Sequence, residues 1–224
     1  MKILFEDDSI IVCHKPSGMP TQTADIRKKD LMDELKNHIR INTDGKVKSE
    51  LSLINRLDQP VEGIVLVAKN TAAAAMLSEQ LTAHKMKKCY LAVVEDVEAL
   101  DACIGEIRLC DYMVTDKKNN ISKISNKNDK NAKKAELIFR VLQRKEGRAL
   151  IRVELITGRH HQIRLQMANA GFPLIGDQKY GNNTSEKAVA LCAYQLTFRN
   201  PKTGKDTTYE ITPSLPSFHI FKDL

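Results

Sequence analysis

The chain has 224 residues, 42% of them hydrophobic, enough for one substantial core, and no apolar run of about 18 residues that would cross a membrane. Five scattered cysteines without a C-x-x-C pair and six histidines without ligand spacing exclude a disulfide framework and a metal centre. Asp7 and Asp8 stand where a secretory leader needs apolar residues, so a reducing cytoplasm is the expected location. The formal charge of +7 suits a polyanionic partner through counterion release, although an ordinary basic protein would share it. With 5% aromatics and no tryptophan, a stacking platform for bases is not expected.

Residues Lys2–Glu6 and Ile10–Lys15 read as short strands around an Asp-Asp-Ser turn, followed by the breaker Lys15-Pro16-Ser17-Gly18. Asp30 can cap a helix whose Met32, Leu35 and Ile39 share one face. Gly63–Lys69 is a buried strand, because its apolar run is short and rich in Val and Ile. Thr71 then caps an alanine-rich helix with Leu77, Leu81 and His84 on one stripe, and Cys89–Glu95 is another strand.

Between Asp111 and Lys134, seven lysines face three aspartates, and large apolar residues are few, which marks an exposed loop or an irregular hairpin. Ala135–Arg144 and Arg148–Ile156 alternate as a hairpin across Lys145-Glu146-Gly147. Gln162–Ala170 reads as a helix closed by Gly171, and Val189–Arg199 with Thr207–Ile211 as a last hairpin. The strand-heavy, irregular order predicts an α+β fold: a mixed, largely antiparallel sheet with peripheral helices. No repeat or linker divides it, so residues 1–224 are expected to form a single domain, with the core folded as one body or as two lobes.

Three stretches carry more polar chemistry than packing requires. In Asn55-Arg56-Leu57-Asp58-Gln59-Pro60-Val61-Glu62-Gly63, a charged pair brackets Leu57 just before an apolar strand. Such charges are either solvated in a turn, with Asp58 bonding nearby amides, or paired and used. Thr157-Gly158-Arg159-His160-His161-Gln162-Ile163-Arg164 opens a helix. It could present solvated polar residues or bind phosphate or a carboxylate. Arginines at the positive end of a helix dipole call for a buried or ligand-facing partner, and Arg164 shares a face with His160 or His161. Gly171–Gly181 is a tightly turned, glycine-rich loop with Pro173 inside it and signals backbone constraint alone.

Taken in order, these stretches resemble the RluA type of pseudouridine synthase. The family's H-R-L-D, spacer, Gly and apolar strand is similar to Asn55-Arg56-Leu57-Asp58 through Leu66. Its G-R-T-H-Q-I-R and G-H/F-P-I-x-G-D-x-x-Y-G are similar to Gly158–Arg164 and Gly171–Gly181. Its K-x-Y and lysine-proline-x-glycine turn resemble Lys88-Cys89-Tyr90 and Lys15–Gly18. The chain departs from the pattern at Asn55 for His, Val61-Glu62 for Thr-Ser, and Gln166 where His is frequent.

The resemblance implies an RNA isomerase that converts uridines of ribosomal or transfer RNA to pseudouridine in a central active-site cleft of the sheet, without metal or organic cofactor. It implies Asp58 as nucleophile, Arg56 filling the place of the flipped base, Tyr90 in the uracil pocket, and Arg164 keeping Asp58 ionised. Arg159, His161 and Gln162 are the further substrate-binding candidates. RNA is the expected partner, with no membrane and a monomeric chain, and the N-terminal RNA-binding domain of many relatives is not expected. Two other readings are a catalytically silent RNA-binding relative and a glycoside-bond hydrolase pairing Glu62 with Asp58.

Overall fold

The computed structural model describes residues 1–25, 27–42, 50–181, 186 and 188–221. In chain order the elements run β1 (Lys2–Glu6), β2 (Ile10–Lys15), α1 (Leu31–Asn42), β3 (Ser52–Leu53), β4 (Glu62–Ala68) and α2 (Thr71–Thr82). Then follow β5 (Lys87–Glu95), β6 (Ile107–Asp116), β7 (Ile121–Ser125), β8 (Lys133–Lys145), β9 (Arg148–Leu155), α3 (Gln162–Asn169), β10 (Leu191–Arg199) and β11 (Asp206–Glu210). The strand pairings of described register are all antiparallel, as the α+β reading expects. The residues divide into two compact units, Met1–Lys87 with Ala193–Ile211 and Lys88–Cys192 with Thr212–Leu224.

In the first unit the strand order is β1-β2-β4-β10-β11, with β3 also paired to β4. β4 is buried along all seven residues, which is why its sequence after Glu62 is continuously apolar instead of alternating. Ala73 and Leu77 of α2 pack with Ile10, Val12, Ile64, Leu66 and Phe198 into one core. The β2–β4 register sets His14 opposite Ile64 and Lys15 opposite Gly63, so the end of β2 lies beside the start of β4. Gly63 has φ 143°, and a Cβ there would lie 2.5 Å from that of Ala193, so no side chain fits.

Asp30 caps α1 as expected, accepting from the Asp33 amide at 2.9 Å. The cap of α2 is Asn70, not Thr71: extended Asn70 accepts from the Ala73 amide at 2.9 Å, and Thr71 is the first helical residue. The stripe along α2 stops at Leu81, because the helix ends at Thr82 and His84 turns left-handed with φ 55°.

The second unit has strand order β5-β9-β8-β6-β7. β8 and β9 join through a two-residue turn, Glu146 at φ 54° and Gly147 at φ 71°, with Lys145 opposite Arg148. Of the two structures open to the lysine-rich segment, an ordered hairpin is found: β6 runs to Asp116 and pairs with β7 from Tyr112 opposite Ser125 to Asp116 opposite Ile121. Alternation along these strands buries Met113 and Ser122 while the lysines stay exposed. Met113, Ala135 and Leu165 pack together with Tyr180 and seat the hairpin and β8 on α3.

Candidate active site

The loop carrying Arg56 and Asp58 is clamped through its backbone. Lys15, fully buried, donates from Nζ to the carbonyls of Pro16 (3.0 Å), Met19 (2.8 Å) and Gln59 (3.2 Å). Ser17 Oγ donates to the Pro60 carbonyl at 2.7 Å, and the Gly18 amide to that of Gln59 at 2.9 Å. Thr21 Oγ1 donates to the Leu57 carbonyl at 2.7 Å and accepts from the Leu57 amide at 3.2 Å. A turn closes the loop, with the Val61 amide on the Asp58 carbonyl at 3.0 Å. Residues 15–21 thus hold residues 57–60 from one side. Within this clamp Asp58 is half-buried and Arg56 exposed.

Asn55, where the family usually has His, ties the other end of the loop to β4. Its Nδ2 donates to the Ile64 carbonyl at 3.0 Å and its Oδ1 accepts from the Leu66 amide at 2.7 Å. The side chain thereby continues the β4 ladder as a peptide group would. Glu62 is fully buried, with His14 Nε2 3.6 Å from its Oε2. Burial pushes the Lys15 ammonium down to about 8, and the negative charges of Asp58 and Glu62 oppose that fall.

The second polar stretch builds a buried network in the other unit. Arg164 forks onto Asp177, Nε to Oδ2 and Nη2 to Oδ1, both at 2.7 Å, with both side chains almost wholly buried. Burial alone would raise the Asp177 pKa, but the Arg164 fork and the Lys179 and Tyr180 amides hold it below its ordinary value. The Arg164 guanidinium also lies 5.4 Å from the Tyr180 ring centre. Tyr180 Oη accepts from the Ser122 amide at 2.7 Å and meets His161 Nδ1 at 2.8 Å. His160 stacks on His161 at 3.7 Å, and Ser122 Oγ donates to the His160 carbonyl at 2.8 Å. His161 and Arg164 thus share the face that meets Tyr180.

Gln162 acts as a strut. Its Oε1 accepts from Thr157 Oγ1 (2.8 Å) and the Arg159 amide (2.9 Å), and its Nε2 donates to the Glu136 carbonyl (3.0 Å) and Gln166 Oε1 (2.9 Å). Gln166 passes the chain on to Asp111 Oδ2 at 2.7 Å. Arg159 is exposed and donates from Nε to the Lys134 carbonyl at 2.9 Å. Tyr90, on β5 opposite Val153, is 8% exposed.

The structure therefore gathers His161, Gln162 and Arg164 around α3. Asp177, Tyr180, Ser122 and Lys15 are the organising residues that sequence reasoning passed over. Asp177 and Tyr180 stood in the glycine-rich stretch, three apart, in the G-D-x-x-Y-G spacing. The requirement of a buried partner for the arginines was their one signal, and Asp177 meets it for Arg164.

Known proteins share the fold, and others share much of the sequence. The structures titled "Human RNA Pseudouridylate Synthase Domain Containing 4" and "Domain Containing 1" have TM-scores of 0.76 and 0.75 at 21% and 20% identity. The alignments cover 97% and 96% of this chain and 92% and 85% of those chains. The fold is thus that of pseudouridylate synthase domains. Residues 9–169 match the family model described as RNA pseudouridylate synthase. A ribosomal large subunit pseudouridine synthase C of Rickettsia bellii is 31% identical over 96% of this chain and 69% of its own length. An "uncharacterized RNA pseudouridine synthase" of Bacillus subtilis is 33% identical over 94% and 68%, and a Mycoplasma pneumoniae relative so titled is 32% identical over 94% and 66%. The chain spans about two-thirds of the length of these relatives. It belongs to the RNA pseudouridylate synthase family, the isomerases that act on RNA. That membership favours the isomerase over the hydrolase reading of Asp58 and Glu62.

Proposed function

We propose that this protein isomerises specific uridines of ribosomal or transfer RNA, with Asp58 as the nucleophile. The observation that carries the reading is the backbone clamp on residues 57–60. It fixes the loop while the Asp58 carboxylate remains at a half-buried position. A nucleophile has to be aimed by its surroundings and still be reachable by substrate.

The reaction breaks the bond from N1 of uracil to C1′, turns the base, and joins C5 to C1′. The proton leaves C5 and N1 regains one, so electrons and atoms balance without a redox partner. Asp58 attacks either C1′ or the uracil ring. The target base first leaves its stack, at a cost of about a few kcal/mol. Exposed Arg56 takes the vacated place. Tyr90 is the proton acceptor late in the reaction, and Arg164 is the buried cation of the site. Arg159 and His161 bind substrate, whereas Gln162, with all its bonding capacity engaged, positions its neighbours. Residues 1–224 work as a single catalytic domain, as a monomer in the cytoplasm.

Mapping pseudouridines in ribosomal and transfer RNA from cells lacking this protein tests the reading. Loss of one or a few sites, restored by wild-type protein but not by Asp58→Asn, is expected. An unchanged map would contradict it.

A further inference from the structure

The Lys88 side chain makes no hydrogen bond or ion pair among the described residues, although it is half-buried. Its place in β5 explains this. Successive side chains of a strand alternate in face, so Lys88 projects on the side of Tyr90, and Cys89 on the other. The nearest acid on the neighbouring strand is Glu154, which stands opposite Cys89 and so shares that other face. Glu154 is further engaged by Arg152 at 3.6 Å, and Arg152 donates to Cys89 Sγ at 3.1 Å. The strand therefore directs its counter-charge away from Lys88.

On the Tyr90 side, the Lys88 ammonium lies against the second signature. A Cβ at Gly158 would sit 3.4 Å from Lys88 Nζ, so the glycine leaves open the place where a side chain would cover the cation. Gly158 is followed by Arg159, which reaches the Lys134 carbonyl at the foot of the basic hairpin. Two cations thus flank Gly158. Burial pushes the Lys88 pKa below its ordinary value, with no anion to oppose the shift.

A half-buried cation without a counter-ion, beside a bare stretch of backbone, is built for an anion that arrives with the substrate. We propose that Lys88 binds a backbone phosphate of the target RNA beside Gly158 and so fixes the strand relative to Tyr90. Phosphate is favoured over a uracil carbonyl because a full negative charge offsets the desolvation of the ammonium and a neutral oxygen does so only weakly. The proposal rests on the RNA isomerase reading.

The test compares wild type, Lys88→Gln and Lys88→Arg, using a dodecameric oligouridylate as probe and thermal melting as control. Lys88→Gln is expected to weaken binding severalfold and to lower the slope of log affinity against log salt by about 0.7, the value for one single-strand phosphate. Lys88→Arg should keep the slope. Because the free protein gives Lys88 no partner, Lys88→Gln should melt at or above the wild-type temperature. An unchanged slope in Lys88→Gln, or a lower melting temperature with an unchanged slope, would overturn the proposal and make Lys88 structural. Failure of the underlying reading shows differently: wild type would form no pseudouridine in unmodified ribosomal and transfer RNA transcripts, whatever Lys88→Gln does to the salt slope.

Discussion

The two polar regions are held by different kinds of contact. Around Asp58, side chains grip main chain: Lys15, Ser17 and Thr21 bond the carbonyls of Gln59, Pro60 and Leu57. Around α3, side chains grip side chains: Arg164 with Asp177, His161 with Tyr180, and Gln162 with Gln166. The first arrangement holds residues 57–60 by their backbone carbonyls. The second makes each member depend on the next, so removing one strands another in the interior. Loss of function at Asp58 should therefore be separable from loss of stability, whereas at Arg164 the two should fall together.

The largest stability effect is expected in the α3 network. Arg164→Met or Asp177→Asn leaves a buried partner unmatched and should cost about 3–5 kcal/mol in denaturant unfolding. Replacing both, as Arg164→Met with Asp177→Asn, should recover part of that stability but no turnover, because the asparagine oxygen can still accept from the Lys179 and Tyr180 amides. The Asp177 pKa lies below its ordinary 3.8. The contribution of the pair is thus complete above about pH 4 and is lost as the pH falls through the folded-state value. Single variants as stable as wild type would break the contrast.

Lys15 sharpens it from the other side. Lys15→Met removes the donor to three carbonyls and should destabilise by about 1–3 kcal/mol. Its folded-state pKa of about 8 lies below the ordinary 10.5. Between those values the unfolded chain binds more protons, so wild type should gain stability relative to Lys15→Met as the pH rises from about 8 towards 10.5. Urea titrations of both proteins across that range check the sign. A gap that narrows with pH would show that the ammonium is not buried as described.

The smallest effect is expected outside both regions, on the basic hairpin. Lys117, Lys118, Lys123 and Lys127 are exposed, while the hairpin beneath them is fastened to the α3 network through Ser122 and Tyr180. Neutralising all four should leave the melting temperature unchanged. It should reduce the salt slope of RNA binding by roughly one for each phosphate that a lysine no longer neutralises. An unchanged slope would leave the hairpin without a part in binding.

Much of the fold was legible because local signals agreed with it. β1 and β2 have the bounds that their alternation and turn residues predict, and the Val- and Ile-rich run became the fully buried β4. The lysine-rich segment was harder, since its strands are stabilised by what Met113 and Ser122 meet on α3 and in the glycine-rich loop, far away in sequence. The site divides in the same way. The expectations for Asp58 and Arg164 rest on motif order, whereas Asp177, thirteen residues beyond Arg164 and its partner in the interior, was readable only as part of a constrained loop. Lys15 looked like a breaker residue, because nothing in residues 15–18 reveals that they fold over residues 57–60.

The central claim is that Asp58 supplies chemistry and not stability. Purified wild type and Asp58→Asn are compared for pseudouridine formation on unmodified ribosomal and transfer RNA transcripts and for melting temperature. Turnover by wild type, none by Asp58→Asn, and nearly equal melting temperatures are expected, because the clamp on residues 57–60 acts through main chain and asparagine keeps the size and one acceptor oxygen of the carboxylate. Retention by Asp58→Asn of even a tenth of the wild-type rate, with its fold intact, would contradict it.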